Sequence, residues 1–392
     1  MNSAAPDPGR AARRIGEAGA MLCRVLHPHG RGVAAVWTRP DLRDGLLASW
    51  RDDPRTARAL PIVSTLLIEA GLMPVLSRGE RALAEAARAW GEVRATSIAR
   101  LTSVLAEASA SSGARVLLCK AAALHGLIYA DPASRPAGDV DAFVPGDDVA
   151  SLHAALLARG FRAVRGTEAR IEAWRARGDA SLADVEYEGP DDLHLEVKAD
   201  PVAMGMPIAR TDDLVECRRP SSCYAGLWVP APEVMVLQQV FSLARRPVPD
   251  VLAHAELAAT LARDATTLDV PRLLDLLHGE GLDGVLRGVL GATANLFPGT
   301  VPHALLEREG RPAGFVPRRL RAPLRGHART RGDALLVWLA RGLSTRRRFE
   351  FARWLVRRAL PPRPLLAALA TDASTTPALR MLRRAWLALR GP

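Results

Sequence analysis

The spacing of apolar residues changes twice along this 392-residue chain, and the change limits what it can fold into. From about Asp41 to Ala108, "LPIVSTLLIEAGL" and "GERALAEAARAWGEVRATSIARLTSVLAEA" repeat apolar residues at i, i+3 and i+4, the spacing of one helix face. Between residues 114 and 198 the runs become short: "ARVLLCK" (114–120), "DVDAFV" (139–144), "LADVEYE" (182–188) and "DLHLEVK" (192–198). Turn signals such as "ADPASRPAG" separate them, so they read as strands. "AAALHGLIY" (121–129) and "PGDDVASLHAALLARG" read as intervening helices, the second with acidic capping residues Asp147 and Asp148 and a stop at Gly160. From Pro230 the helical spacing returns in "APEVMVLQQVFSLARR", "LAHAELAATLARDA" and "PRLLDLLHGEGLDGVLRGVL". The expected fold class is α+β and mostly helical, a small mixed β-sheet core flanked by N- and C-terminal helical regions.

This pattern divides the chain into a loosely ordered segment at 1–40, a helical region at 41–110, an α/β core at 111–228 and a helical, arginine-rich region at 229–392. Aromatic residues make up only 5% of the chain, which favours helices over a sandwich or barrel. The four cysteines show neither CxxC nor zinc-ligand spacing, so disulfides and structural zinc are not expected. No apolar run reaches the ~18 residues of a transmembrane helix, and the N-terminus has no signal-like apolar stretch. A cytoplasmic location is expected. The formal charge of +11 comes almost wholly from arginine, since Lys120 and Lys198 are the only lysines. A lysine retained against such a bias stands out as needed for itself. The arginine-dense stretch at 317–358 has few interleaved aromatics, so a solvated face is favoured over a nucleic-acid surface.

The chemistry concentrates at "RPAGDVDAFVPGDD" (135–148). Alternate residues of a strand share a face, so Asp139 and Asp141 point one way and Val140 and Ala142 the other. Two carboxylates that close together, in a partly dry site, require a cation between them or give up one charge. Mg²⁺ fits, because it takes one or two carboxylates and completes its shell with water and phosphate oxygens. On the later strand Asp192, His194, Glu196 and Lys198 alternate with Leu193, Leu195 and Val197, so one face is ionisable and the other is core. If that strand lies beside 139–144, Asp192 or Glu196 supplies a third carboxylate, enough for two metals about 3.5–4 Å apart in an in-line transfer. Lys120, at the end of the first strand, is placed to reach phosphates.

"VLLCKAAALHGLIYADPASRPAGDVDAFV" resembles the "LLKGaaL…Y…R…GDiDlLV" core of the bacterial uncharacterised nucleotidyltransferases of the DNA polymerase β superfamily. "DLHLEV" is similar to that group's Asp/Glu-Leu-His strand, "GLWVPAPEVMVLQQVFSLARR" to its post-core helix, and "RFEFARWLVRRALPPRPLLAAL" to its ending. The resemblance implies a nucleotidyltransferase core, a bacterial source, Mg²⁺ or Mn²⁺ as cofactor and an NTP as substrate. It puts Asp139 and Asp141 at the metal-binding Asp-x-Asp, Asp192 at the third acidic position, and Lys120 and Arg135 at the cations that meet the triphosphate. Ala121 follows Lys120 where the family carries glycine, and the superfamily's Gly-Ser turn is missing.

Two function classes follow. One is a Mg²⁺-dependent enzyme that transfers a nucleoside monophosphate from an NTP to an acceptor on a protein, an RNA end or a small molecule. The other is a catalytically weakened binding or regulatory protein on the same fold, for which Ala121 is the distinguishing feature.

Overall fold

In a computed structural model the described residues are 58–164, 166–177, 184–189, 194–199, 211–245, 250–278 and 283–306, together with 22, 25, 26, 34, 37, 43 and 44. Most of the 1–40 segment, the arginine-dense stretch at 317–358 and Asp192 lie outside them. The architecture is α+β and mostly helical, with a mixed sheet in the middle of the chain. Chain contacts divide it into two units. The first holds the described residues up to Arg94, Ile128–Pro136 and those from Gln239 onward; the second holds Ala95–Leu127 and Ala137–Gln238.

In the first unit, α1 (Leu60–Glu69) buries Ile62, Val63 and Leu67. Val63 and Leu67 pack in a cluster with Leu22, Val25, Trp37, Leu76 and Ala84. Helix α2 (Arg78–Ser112) begins with a reciprocal cap: Ser77 N donates to Glu80 Oε2 at 2.7 Å and Glu80 N to Ser77 Oγ at 3.3 Å. Two backbone donors left without helical partners are satisfied this way. The first unit takes α2 up to Arg94 and the second takes the rest.

The second unit carries the sheet. Its strands are β1 (Leu117–Cys119), β2 (Val140–Phe143), β3 (Arg162–Ala163), β4 (Asp184–Glu188), β5 (His194–Lys198), β6 (Arg219–Pro220) and β7 (Trp228–Val229), in the order β3-β4-β5-β2-β1-β7-β6. The pairs β2/β5 and β1/β7 are parallel, while β1/β2, β4/β5, β3/β4 and β6/β7 are antiparallel. Register puts Leu118, Ala142, Val197 and Val185 in one row, each essentially without solvent exposure. The neighbouring row, on the opposite face, is Cys119, Asp141, Glu196 and Glu186. The alternation read from the sequence therefore separates an apolar face from an ionisable one.

The helices between strands are α3 (Lys120–Leu124), α4 (Gly146–Leu157), α5 (Thr167–Arg177) and α6 (Thr211–Glu216). Helix α3 is shorter than the 121–129 reading, because its backbone becomes extended at His125. Helix α4 ends one turn before Gly160, whose φ of 82° suits a residue without a Cβ. Its acidic start differs from expectation: no side chain caps it, and Asp148 instead accepts from Arg115 N at 2.9 Å and Arg115 Nε at 2.7 Å. Helix α7 (Pro232–Arg245) follows β7 and belongs to the second unit through Gln238. In the first unit α8 (Val251–Arg263) starts at Asp250, which accepts from Ala253 N at 3.1 Å, and is followed by α9 (Val270–His278), α10 (Asp283–Leu296) and α11 (His303–Leu306). Among the described residues no helix is long and apolar enough to cross a membrane.

Candidate active site

The site is built where β1 hands over to α3. Lys120 has φ of 52°, and among the described residues it is the non-glycine residue held at positive φ. That conformation costs an L-residue roughly 1–2 kcal/mol, and such strain gathers where function requires it. Gln238 of α7 holds the turn, its Oε1 accepting from Lys120 N at 3.2 Å. Gln238→Leu keeps the volume and removes the acceptor; it is expected to lower the unfolding free energy by about 1 kcal/mol, read from urea melts.

From this turn the Lys120 ammonium reaches Asp141, with which it forms an ion pair and hydrogen bond. Asp141 is buried in the middle of the sheet and lies directly opposite Glu196 on the parallel neighbour β5. Lys198, two residues further along β5, points to the same face; its Nζ hydrogen-bonds Glu196 Oε2 and stands 3.7 Å from Asp141 Oδ1. Both lysines of the chain thus converge on the same two carboxylates. These ammonium groups supply the positive charge that the Asp-x-Asp pattern demands.

Burial pushes the Asp141 carboxyl up to about 6 against the pull of Lys120 and Lys198, and the charge of Asp139 adds to the rise. Burial acts on Glu196 in the same sense, but the hydrogen bond and charge of Lys198 outweigh it and hold Glu196 below the usual carboxylate range. Asp139 is half-buried in the bend before β2. Cys119, in register with Asp141, has its thiol raised to about 12 by burial and by the Asp141 charge, which makes it inert.

Of the residues singled out from sequence, Lys120, Asp141 and Glu196 come together, with Asp139 at the head of the same strand. Arg135 has other partners. It belongs to the first unit, where its Nε donates to Glu256 Oε1 at 2.6 Å and its guanidinium to Pro136 O at 3.2 Å. Burial disfavours its charge, yet Glu256 and the neighbouring Tyr129 hold the guanidinium above its ordinary range. Its cation is paired with Glu256 inside the protein, an arrangement that suits a structural role. Lys198 and Gln238 were assigned no role from sequence. The scarcity of lysine was a usable signal for Lys198; Gln238 had none.

The donor chemistry suits a hard divalent cation. Asp139, Asp141 and Glu196 offer carboxylate oxygens on one strand pair, and two ammonium groups are already drawn to them. Among the described residues no group of three or more His, Cys, Asp or Glu side chains is placed to hold a metal ion. Ala121 presents no obstacle in its backbone, because it sits inside α3 without the positive φ that calls for glycine.

A family model described as uncharacterised nucleotidyltransferase matches residues 54–298. The chain belongs to that family. The match takes in the whole sheet, both lysines, Asp139, Asp141 and Gln238. No curated protein and no solved structure matches the chain. Within the matched region Asp139 stands at the head of the buried strand β2 and Asp141 lies on it, and Lys120, from the turn after β1, touches Asp141.

Proposed function

We propose that the protein transfers a nucleoside monophosphate from an NTP to an acceptor on a protein, an RNA end or a small molecule. One observation carries it: Asp141 is buried on β2, paired in register with Glu196, and contacted by a lysine held in a strained turn. Asp139 and Asp141 hold Mg²⁺ or Mn²⁺, with Asp192 as third carboxylate on family position or Glu196 on register. A bound divalent ion supplies charge stabilisation for the attacking and leaving oxygens. Lys120, whose side chain is 42% exposed, turns from Asp141 to the phosphates and neutralises charge on the departing pyrophosphate. The cytoplasm is the proposed location.

A second reading, a binding module without catalysis, draws on the same ion pairs, since Lys120 and Lys198 are themselves cations beside the carboxylates. Label tracing separates the two. The protein is incubated with each NTP labelled at the α- or the γ-phosphate, Mn²⁺ and a cell extract. α-Label carried to a macromolecule or metabolite by the wild type, and not by Asp139→Ala/Asp141→Ala, is the expected result. Transfer of γ-label alone, or no nucleotide binding by calorimetry, removes the proposal.

The pH dependence has a defined sign. Asp141 rises to about 6, so below that pH its carboxyl holds a proton that a metal must displace. Each pH unit lower then costs about tenfold in affinity, or roughly 1.4 kcal/mol. The rise in melting temperature given by Mn²⁺ with an α,β-methylene NTP is expected to be small at about pH 5 and full at about pH 7.5. An equal rise at both values excludes Asp141 as a ligand.

A further inference from the structure

We infer that Lys198 is a built-in counter-ion that keeps a divalent metal off Asp141 and Glu196 until a nucleotide arrives, an inference that rests on the transferase proposal. The two lysines differ in setting. Lys120 has 42% of its side chain in solvent and has room to rotate away from Asp141, whereas Lys198 is 12% exposed. Lys198 grows from the strand that carries Glu196, with Phe143 as its register neighbour on β2. Its ammonium touches Glu196 and lies 3.7 Å from Asp141, between the oxygens that would take a metal.

Charge decides what can enter. Asp139, Asp141 and Glu196 bring three negative charges, and Lys120 and Lys198 bring two positive ones. A divalent ion arriving alone leaves a net positive group in a mostly buried place, and it meets the fixed Lys198 ammonium at ion-pair distance. A triphosphate changes the balance: it draws Lys120 away and adds several negative charges beside the carboxylates. Metal and nucleotide are then taken together, and the metal is poorly held without the nucleotide. Such a site does not load metal idly and offers its carboxylates to the ion only when substrate is present.

The test is direct titration of Mn²⁺ into the full chain, with free Mn²⁺ read by electron paramagnetic resonance. The proteins are wild type, Lys198→Met, Lys198→Gln, and Lys198→Met/Asp141→Asn, each checked for folding by circular dichroism. Without nucleotide, either neutral variant that folds is expected to bind Mn²⁺ at least about tenfold more tightly than wild type. The gain is expected to disappear when Asp141→Asn is added. Equal affinity in wild type and variants overturns the inference, as does a gain that survives Asp141→Asn. If wild type, Lys198→Met and Lys198→Gln bind Mn²⁺ equally, with α,β-methylene NTP and without it, while Lys198→Met/Asp141→Asn binds it weakly, only the role of Lys198 falls. If none binds Mn²⁺ under either condition, the transferase proposal falls with it.

Discussion

Asp141→Asn is expected to lower the rate of nucleotidyl transfer by roughly three orders of magnitude, the size of effect seen when a preorganised charge-stabilising group is lost, while leaving the fold intact. Asparagine has the same shape, so no cavity opens in β2. Neither lysine is stranded: Lys120 has 42% of its side chain in solvent and Lys198 keeps Glu196. The titration of Asp141 argues in the same direction. Its pKa in the folded protein is raised to about 6 from an ordinary 3.8, so the native state binds that proton more tightly than the unfolded chain. Stability attributable to this group therefore falls as pH rises through that window, and the ionised form works against folding at neutral pH. Removing the charge is expected to keep or raise the melting temperature at pH 7 while transfer collapses. Transfer at the wild-type rate, measured with α-labelled NTP, would remove Asp141 from the mechanism. The parallel pair Glu196→Gln and Asp192→Asn then identifies the third carboxylate, since the true ligand shows a loss of similar size and the other a small one.

The strand assignments were legible because each long strand carries its own signal. Val140–Phe143 and His194–Lys198 alternate cleanly, and the guess that they are neighbours is met by the parallel β2/β5 pair. What the alternation could not carry was length and partnership. Strands β6 and β7 are two residues each, too short for any period, and their only warrant is the pairing that tertiary contact provides. The helix at 121–129 was read too long because "AAALHGLIY" is apolar but for His125, and a short apolar run fits a turn as well as a helix. In the site, residue types were readable and their partners were not. Lys120 and Gln238 are 118 residues apart, and Arg135 and Glu256 are 121 apart. No local pattern specifies such a meeting. The question raised by two nearby aspartates was legible, and so was the oddity of two lysines among many arginines; that one answers the other depends on the β2/β5 register and the turn after β1.

Arg135→Ala is expected to destabilise the protein by about 3–5 kcal/mol, the range for removing one partner of a buried ion pair. Both groups are nearly out of solvent, with side chains 10% and 11% exposed, and the bond between them is 2.6 Å. Truncating the arginine leaves the Glu256 carboxylate buried beside the Tyr129 hydroxyl, which donates to it at a long 3.4 Å and cannot replace a guanidinium. Glu256→Ala is expected to be as harmful, because it leaves the guanidinium uncompensated. Arg135→Met/Glu256→Leu, which removes both charges and retains the volume, is expected to recover most of the loss, since exchanging a whole buried pair for apolar groups is often neutral or better. A surface phosphate-binding arginine behaves differently: its alanine variant keeps the urea midpoint and raises KM for NTP. Urea melts of the three variants beside steady-state kinetics on Arg135→Ala distinguish the two roles, and an unchanged midpoint with raised KM would put Arg135 at the triphosphate. The ion pair belongs to the first unit and the carboxylates of the proposed site to the second, so loss of the pair is expected in the melt rather than in Mn²⁺ affinity.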